Sequence, residues 1–372
     1  MGRRAWAVSL VAVVSIVLGS MFAMPLVPAS RAASGPSAPV NVGFTFSERQ
    51  AGYLDVSWQK AFEAAIDLSP DLVRLGAYWD RIEPTPGKYD FSDLDWLLDH
   101  VPAQSSVLLT VGMKAPRWPE YFLPGWLRKS VNVPAGGNIS QDATVRSATL
   151  RFISQVVQHE RARTNIKYWQ VENEPLDPSG PRHWRIDSGF LSEEIGLVRS
   201  LDSRPIVESM FVDTSPLGAL PPWHGQIEDE ARELLGLADV LGLDVYPIRP
   251  MSAKPIQLAL KWPVWLWEPR LRDLRRLAQS AGKQTWISEA QAEPWLPARL
   301  VTTGSSPSRN AAPNLTASTV ERLQADGFHT ILLWGVEYWY MRSARYEDPN
   351  WWSGMLPFFR DSRSQSGSPG SA

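Results

Sequence analysis

Eight apolar runs of strand length alternate with segments of helical spacing along this chain. Each run is nearly continuous, which indicates a strand buried on both faces of a parallel sheet. Eight strands that alternate with helices predict a (β/α)8 TIM barrel, an α/β fold in a single domain. The runs lie at 42–46, 72–77, 107–111, 166–175, 205–210, 240–246, 284–289 and 330–335, and the helical segments at 58–68, 92–98, 144–161, 190–201, 227–237, 270–281 and 316–325.

A doubly wound open sheet is the alternative fold for such an alternation. That fold normally carries a glycine-rich phosphate-binding turn after its first strand. Here the turn contains Ser47, Glu48, Arg49 and Gln50, with no glycine. The chain of 372 residues, of which 44% are hydrophobic, is long enough to fill a barrel of ordinary size.

The first 39 residues differ in composition from the rest of the chain. Arg3 and Arg4 precede an apolar run at 5–27, and a spacer rich in Ser, Pro and Ala follows. This pattern is typical of an export signal, and the run is also long enough to span a bilayer. We therefore expect a signal peptide or membrane anchor at 1–32, a flexible spacer at 33–39, the barrel domain at 40–360 and a disordered tail at 361–372.

Composition argues against several classes of function. The formal net charge is -2 and Lys and Arg form no dense run, so nucleic acid is not expected as a partner. There are no cysteines, and the five histidines are not spaced as metal ligands. No Gly-x-Ser-x-Gly elbow is present. We expect neither a cofactor nor a metal ion.

Two carboxylates occur where strands of the predicted barrel end. Asn173 and Glu174 stand at the end of the fourth run, and Pro175 stops the strand because it has no N–H to donate. Glu289 ends the seventh run. Active sites of TIM barrels lie at the carboxyl ends of the strands. Asn-Glu-Pro is also an ordinary sequence between a strand and a helix, so the tripeptide alone does not establish a catalytic site.

A pair of carboxyl groups in one barrel mouth is what glycoside hydrolysis requires. One acts as acid and base, and the other as nucleophile or as a second base. Arg74, at the second strand, and Tyr246, at the sixth, are suited to lie beside a nucleophile. A cation and a phenol donor keep a carboxylate ionised and oriented.

Several segments of roughly residues 40–355 resemble the clan A glycoside hydrolases, retaining (β/α)8 enzymes that include cellulases and β-galactosidases. The resemblance implies that Glu174 is the acid/base, that Glu289 is the nucleophile, and that Asn173 binds the sugar 2-hydroxyl. Two histidines common in family-five cellulases are absent, with Gly112–Lys114 and Asp244 in their places, so cellulase activity is not implied. The similar segments are Trp169–Pro175, Trp286–Glu289, Leu241–Pro247 and Val73–Phe91.

Other residues compete for roles in the site. Glu172 is a second candidate for the acid, and Glu337 and Glu48 are candidates for binding sugar hydroxyls. Among the tryptophans expected at the mouth, one or two should stack on sugar rings, since an indole offers a flat apolar face. Those tryptophans are Trp79, Trp118, Trp295 and Trp339; the full set of expected substrate-binding residues is Arg74, Asn173, Tyr246, Trp334, Glu337 and Trp118.

The sequence thus predicts a retaining O-glycosyl hydrolase acting outside the cytoplasm, either secreted or anchored to a membrane. The expected partner is an oligosaccharide or polysaccharide substrate, and the expected state is a monomer. Two alternatives remain: a barrel that binds glycans without cleaving them, and a transglycosylase that uses the same residues.

Overall fold

A computed structural model describes residues 40–216, 218, 221–253, 256–294 and 313–366. The predicted signal or anchor (1–32), the spacer (33–39) and Trp295 lie outside these residues. Within them, every helix is too short or too polar to cross a membrane.

Eight parallel strands form one sheet in the order β4-β3-β2-β1-β10-β9-β6-β5. Its two ends approach each other through a bridge between Trp169 and Ile206, which nearly closes the barrel. The predicted (β/α)8 architecture is therefore confirmed. The strands are β1 Asn41–Thr45, β2 Leu72–Gly76, β3 Ser106–Thr110, β4 Ile166–Gln170, β5 Val207–Val212, β6 Val240–Val245, β7 Ile248–Ala253, β8 Ile256–Lys261, β9 Gln284–Gln291 and β10 Thr330–Trp334.

Helices cover the outside of the sheet and begin at polar caps. Asp142 accepts the amide N–H groups of Thr144 and Val145, and Ser57 accepts that of Lys60. The helices are α1 Glu48–Tyr53, α2 Trp58–Ile66, α3 Trp79–Ile82, α4 Ser92–His100, α5 Gly125–Arg128, α6 Ala143–Glu160, α7 Ser188–Leu201, α8 Pro221–Leu237, α9 Val264–Ser280, α10 Pro313–Ala325, α11 Val336–Tyr346 and α12 Asn350–Ser366.

A continuous core lies between the sheet and its helices, and a second, smaller cluster that includes Leu72, Leu108 and Trp286 is separate from it. Large aromatic side chains fill much of it, each removing on the order of 150–250 Å² from water. Many of the tryptophans therefore belong to the core and are not platforms for sugar rings. Five of them are completely buried: Trp79, Trp169, Trp267, Trp339 and Trp351.

Several elements were not expected, and they include the short helices α1, α3 and α5. The antiparallel hairpin β7–β8 follows the sixth barrel strand, where only a connection was expected. Helix α11 begins directly after β10, where a mouth loop was expected. Helix α12 continues to Ser366, although the disordered tail was expected from 361 onward; residues 367–372 lie outside the described part of the chain.

Candidate active site

Glu174 stands at the carboxyl end of β4 in an unusual backbone conformation. The strand ends at Gln170, and Pro175 prevents it from continuing. Glu174 has φ of +44°, a left-handed conformation that residues other than glycine seldom adopt. Its amide N–H donates to the hydroxyl of Ser209 on β5, at 3.2 Å. The neighbouring strand thus helps to fix the direction of the Glu174 side chain.

Glu289 lies within β9 and is almost completely buried, with 3% of its surface exposed. One carboxylate oxygen accepts from Arg74 Nη1 at 2.6 Å, and the other accepts from the Tyr246 hydroxyl. The structure therefore brings together the three residues that the sequence placed around a nucleophile. A carboxylate held by a guanidinium and a phenol is fixed in orientation.

The carboxyl groups of the two glutamates face each other across the barrel mouth. Carboxylate oxygens of Glu174, Asp244 and Glu289 all lie within 4.8 Å of one another. Glu174 and Glu289 come from parts of the chain that are distant in sequence, and their carboxyl groups are close enough to act on the same bond.

Arg74 connects the two sides of this site. Its Nη2 donates to Asn173 Oδ1 at 2.5 Å and its Nε to Gln170 Oε1 at 2.7 Å. Gln170, which the sequence analysis did not single out, also accepts from Thr110 at 2.9 Å and donates to Ser209 at 3.0 Å. With its Oδ1 taken by Arg74, Asn173 presents its amide NH₂ for donation.

Burial raises the pKa of Glu174 well above its ordinary value, and the charges of Asp244 and Glu289 raise it further. Lys114 acts in the opposite direction. A carboxyl group in this environment holds its proton to higher pH than an exposed one, which favours the role of acid catalyst.

Asp244 is a site residue that the sequence analysis did not include. It is completely buried on β6 and accepts a hydrogen bond from Ser288 at 2.5 Å. Burial, followed by the charge of Glu289, raises its pKa to about 8. The sequence did contain a signal for Asp244, because a carboxylate inside an apolar strand needs either a charged or hydrogen-bonding partner or a proton.

Glu172, the competing candidate for the acid, is turned away from the mouth. It is completely buried, and its oxygens accept the amide N–H groups of Met113 and Lys114 at 3.0 and 2.6 Å. Burial raises its pKa to about 8. The carboxyl of Glu194 also forms a side-chain hydrogen bond with it. These contacts assign Glu172 to the packing between β3 and β4.

A second charged group lies where β1, β9 and β10 end. Arg117 donates to Glu293 and to Glu337 at 2.5 Å each, and Glu337 also accepts the Ser47 amide at 2.6 Å. Glu337 is completely buried. One of its oxygens binds Arg117 and the other binds the Ser47 amide, and its role as a sugar ligand stays a prediction. Glu48, the weaker candidate of the same kind, is buried at the start of α1.

The aromatic candidates divide into exposed and buried residues. Trp118 is 64% exposed on the loop after β3, as a sugar platform would be, whereas Trp79 and Trp339 are completely buried. Trp334 is partly buried; its ring packs edge-on against Tyr246 at 6.2 Å, and the Arg117 guanidinium lies 3.9 Å from its ring centroid. Tyr246 and Arg117 thus both pack against the Trp334 indole, and its role in sugar binding stays a prediction.

Two sets of side chains in the described part of the chain have oxygen or nitrogen atoms at metal-ligand spacing. In the set at the mouth, Arg74 already places a positive charge on Glu289. In the other, Arg163 already binds Asp95 and Glu160, beside His159. We interpret both sets as ion-pair and proton-transfer groups.

A family model described as "Beta-galactosidase", of glycoside hydrolase family 42, matches residues 53–185. The matched segment covers less than half of the chain. It includes Arg74, Asn173 and Glu174 but ends before Tyr246 and Glu289. No curated protein sequence matched the chain.

Solved structures with a similar fold include three glycosidases. An exo-β-1,4-mannosidase from Opitutaceae bacterium strain TAV5 has a TM-score of 0.54 at 16% identity, covering 92% of this chain and 62% of its own. A β-galactosidase from Rahnella sp. R3 has 0.56 at 14%, covering 81% and 51%. A β-galactosidase from the haloarchaeon Halorubrum lacusprofundi has 0.55 at 13%, covering 89% and 59%.

At these identities the likeness shows a common fold. This chain matches only 51–62% of the length of those three proteins, so their activities do not establish its own. Together with the family match, the comparisons confirm the predicted resemblance to clan A barrels and support an O-glycosyl hydrolase.

Proposed function

We propose that this protein is a retaining glycoside hydrolase that cleaves O-glycosidic bonds of an extracellular oligosaccharide or polysaccharide by double displacement. The observation that carries the proposal is the close approach of Glu174 and Glu289, whose oxygens lie within 4.8 Å. Retaining enzymes hold their carboxyl groups about 5–5.5 Å apart, whereas inverting enzymes leave about 6.5–9.5 Å for a water molecule.

In the first step, the Glu289 carboxylate attacks the anomeric carbon. The bond from that carbon to the glycosidic oxygen breaks, and Glu174 gives its proton to the departing oxygen. The product is a glycosyl ester on Glu289, and Glu174 is left as a carboxylate.

In the second step, the Glu174 carboxylate takes a proton from water, and the oxygen of that water attacks the anomeric carbon. The ester bond to Glu289 breaks and the sugar leaves with its original configuration. Asn173 holds the 2-hydroxyl through both steps, a contact that strengthens in the transition state. Arg74 and Tyr246 keep Glu289 in place when it becomes the leaving group.

The family and fold comparisons guide the choice of substrate. Both β-galactosidases and a β-mannosidase share the barrel, so aryl β-galactosides and β-mannosides are the first compounds to assay. We further propose that the substrate lies outside the cytoplasm, because residues 1–32 have the pattern of an export signal or anchor.

The first prediction concerns the stereochemistry of cleavage. Proton NMR of the reaction with an aryl β-glycoside should show the β-anomer of the free sugar first, before mutarotation produces the α-anomer. The variant Glu289→Ala should lose turnover on every substrate, because no other residue replaces the nucleophile. Initial release of the α-anomer would identify an inverting enzyme and refute the double displacement.

A glycan-binding barrel without catalysis is the second candidate. The exposure of Trp118 beside the site favours glycan contact of some kind. Such a protein would bind oligosaccharides saturably and release no reducing sugar on long incubation. A transglycosylase would instead form longer oligosaccharides when an acceptor sugar is added.

A further inference from the structure

The segment Gly112–Lys114 directly after β3, here called the β3 clamp, wraps around the carboxylate of Glu172. The amide N–H groups of Met113 and Lys114 donate to its two oxygens at 3.0 and 2.6 Å. Gly112 has φ of +112°, and a Cβ atom there would lie 2.5 Å from Glu172 Oε1. Only glycine allows the clamp to approach this closely.

Lys114 extends the clamp to the next residues along the chain. Its carbonyl oxygen accepts the Asn173 amide at 2.8 Å. Its completely buried Nζ donates to the carbonyl oxygen of Glu174 and, at 3.2 Å, to that of Asp177. The carboxylate of Glu120 lies 3.5 Å from the same nitrogen. One ammonium group therefore binds the backbone on which the acid/base stands.

This backbone needs an external constraint. The left-handed φ of Glu174 is unfavourable for a residue with a Cβ atom and persists only where surrounding contacts impose it. The Glu174 amide donates to the Ser209 hydroxyl at 3.2 Å, and its carbonyl oxygen accepts from the Lys114 ammonium and, at 3.2 Å, from the Asp177 amide.

We infer that Lys114 is a positioning residue, whose ammonium group fixes the backbone of Glu174 and so aims the acid/base at the glycosidic oxygen. The inference rests on the function proposed above for Glu174. It assigns a role to a lysine that the sequence did not place in the site.

The charge of Lys114 also acts on the proton of Glu174. Burial and the charges of Asp244, Glu289 and Asp177 raise the pKa of Glu174, and the Lys114 ammonium lowers it. Loss of this positive charge should therefore raise the pKa of Glu174, so that the proton is held to higher pH.

The test compares Lys114→Met with the wild-type protein on two aryl glycosides. For a poor leaving group that needs the proton, kcat/KM should fall about 10- to 100-fold, since a misplacement near 1 Å costs about 10²-fold. For a dinitrophenyl glycoside, which leaves without a proton, the first step should change less than about threefold. A general loss of structure would reduce both rates together.

The pH profile separates the charge from the hydrogen bonds. Lys114→Met and Lys114→Gln both remove the charge, so the alkaline limb of kcat/KM should move up by about one pH unit. Lys114→Arg keeps the charge, and its limb should stay in place. Lys114→Gln keeps a donor for the carbonyl groups, so it should retain more activity than Lys114→Met.

Lys283 offers a matched control on the other side of the barrel. Its partly buried side chain ends in an ammonium that donates to the carbonyl oxygens of Leu235 and, at 2.5 Å, Ala238. The variant Lys283→Met loses the same kind of contact away from the site. It should lower the melting temperature without changing the dependence on leaving group or pH.

A crystal structure of Lys114→Met gives a result that does not depend on activity. Glu174 should leave the positive-φ region or turn its carboxyl group away from Glu289. If φ stays near its present value and both kcat/KM values match the wild type, Lys114 has no positioning role. If the wild-type protein cleaves no glycoside, the proposed function fails, and the φ of Glu174 in the variant still decides the inference.

Discussion

Arg74 is a completely buried cation, and its three hydrogen bonds set the geometry of the site. A buried charge is tolerated only where paired and hydrogen-bonded partners replace the lost water. Glu289 supplies the opposite charge, and Asn173 and Gln170 accept the remaining N–H groups. A guanidinium binds all three in fixed directions, which a lysine ammonium does not reproduce.

Asp244 should control the pH at which Glu174 loses its proton. As pH rises past about 8, Asp244 gains a charge, and that charge makes Glu174 hold its proton more tightly. Asp244→Asn keeps the shape and removes the charge. The alkaline limb of kcat/KM should therefore move to lower pH, by about one unit.

Asp177→Asn is the matched control for this experiment. Asp177 also raises the pKa of Glu174, but its contribution is smaller than that of Asp244. Its variant should shift the limb in the same direction by less. An unchanged limb in Asp244→Asn, or a shift to higher pH, would show that Asp244 does not act on the acid.

At the scale of elements, three carboxyl groups are buried where β4, β5 and α7 meet. Glu172, Glu194 and Glu208 are all completely inaccessible to water. Burial raises the pKa of each, to about 8 for Glu172, while the unfolded chain keeps the ordinary value of 4.5. The folded state therefore binds more protons than the unfolded state between these values.

The free energy of unfolding should consequently decrease as pH rises from about 4.5 to about 8, because ionisation is easier in the unfolded chain. Each unit of pKa difference corresponds to about 1.4 kcal/mol. Glu194→Gln removes one of the three groups, so its stability should decline less steeply over this range. Urea unfolding at several pH values measures the slope.

Glu193 is the natural control, since it is exposed on the same helix and pairs with Arg146 at the surface. Glu193→Gln should leave the slope as in the wild type. A slope that is equally steep in Glu194→Gln and the wild type would contradict the account of this cluster.

The elements that the sequence predicted correctly are those with an unbroken pattern. Each barrel strand is a run of apolar residues, and a parallel barrel buries both faces of its strands. The hairpin β7–β8 was missed because Pro250 lies in its first strand, and proline argues against a strand assignment. Helix α11 was missed because Trp339, which lies in it, was expected in a loop at the barrel mouth after the eighth strand.

Parts of the site were predictable for a different reason. Glu174 and Tyr246 follow strands, and Arg74 and Glu289 lie within strands, so the topology of a barrel brings them to one mouth. Lys114 and Asp244 stood out in the sequence only because they lie in segments where family-five cellulases commonly carry a histidine. Their roles depend on a left-handed backbone and on distances between strands, which periodicity does not encode.

At the scale of the whole molecule, barrel closure joins groups that are far apart in sequence. Arg74 and Glu289 are separated by 215 positions, and Arg74 and Asn173 by 99. No local segment contains a complete site, so the chemistry depends on the correct register of β2, β4, β6 and β9. The roles of the two glutamates can nevertheless be tested one residue at a time.

The most direct test is the turnover of Glu174→Ala on an activated and an unactivated aryl glycoside, with and without azide. Without the acid, cleavage of the unactivated glycoside should fall by about 10²–10⁴-fold, whereas the first step on the activated one should be spared. Azide should enter the space left by the side chain, speed the second step and give a glycosyl azide of retained configuration. Equal loss on both substrates without rescue by azide would contradict the acid/base role of Glu174.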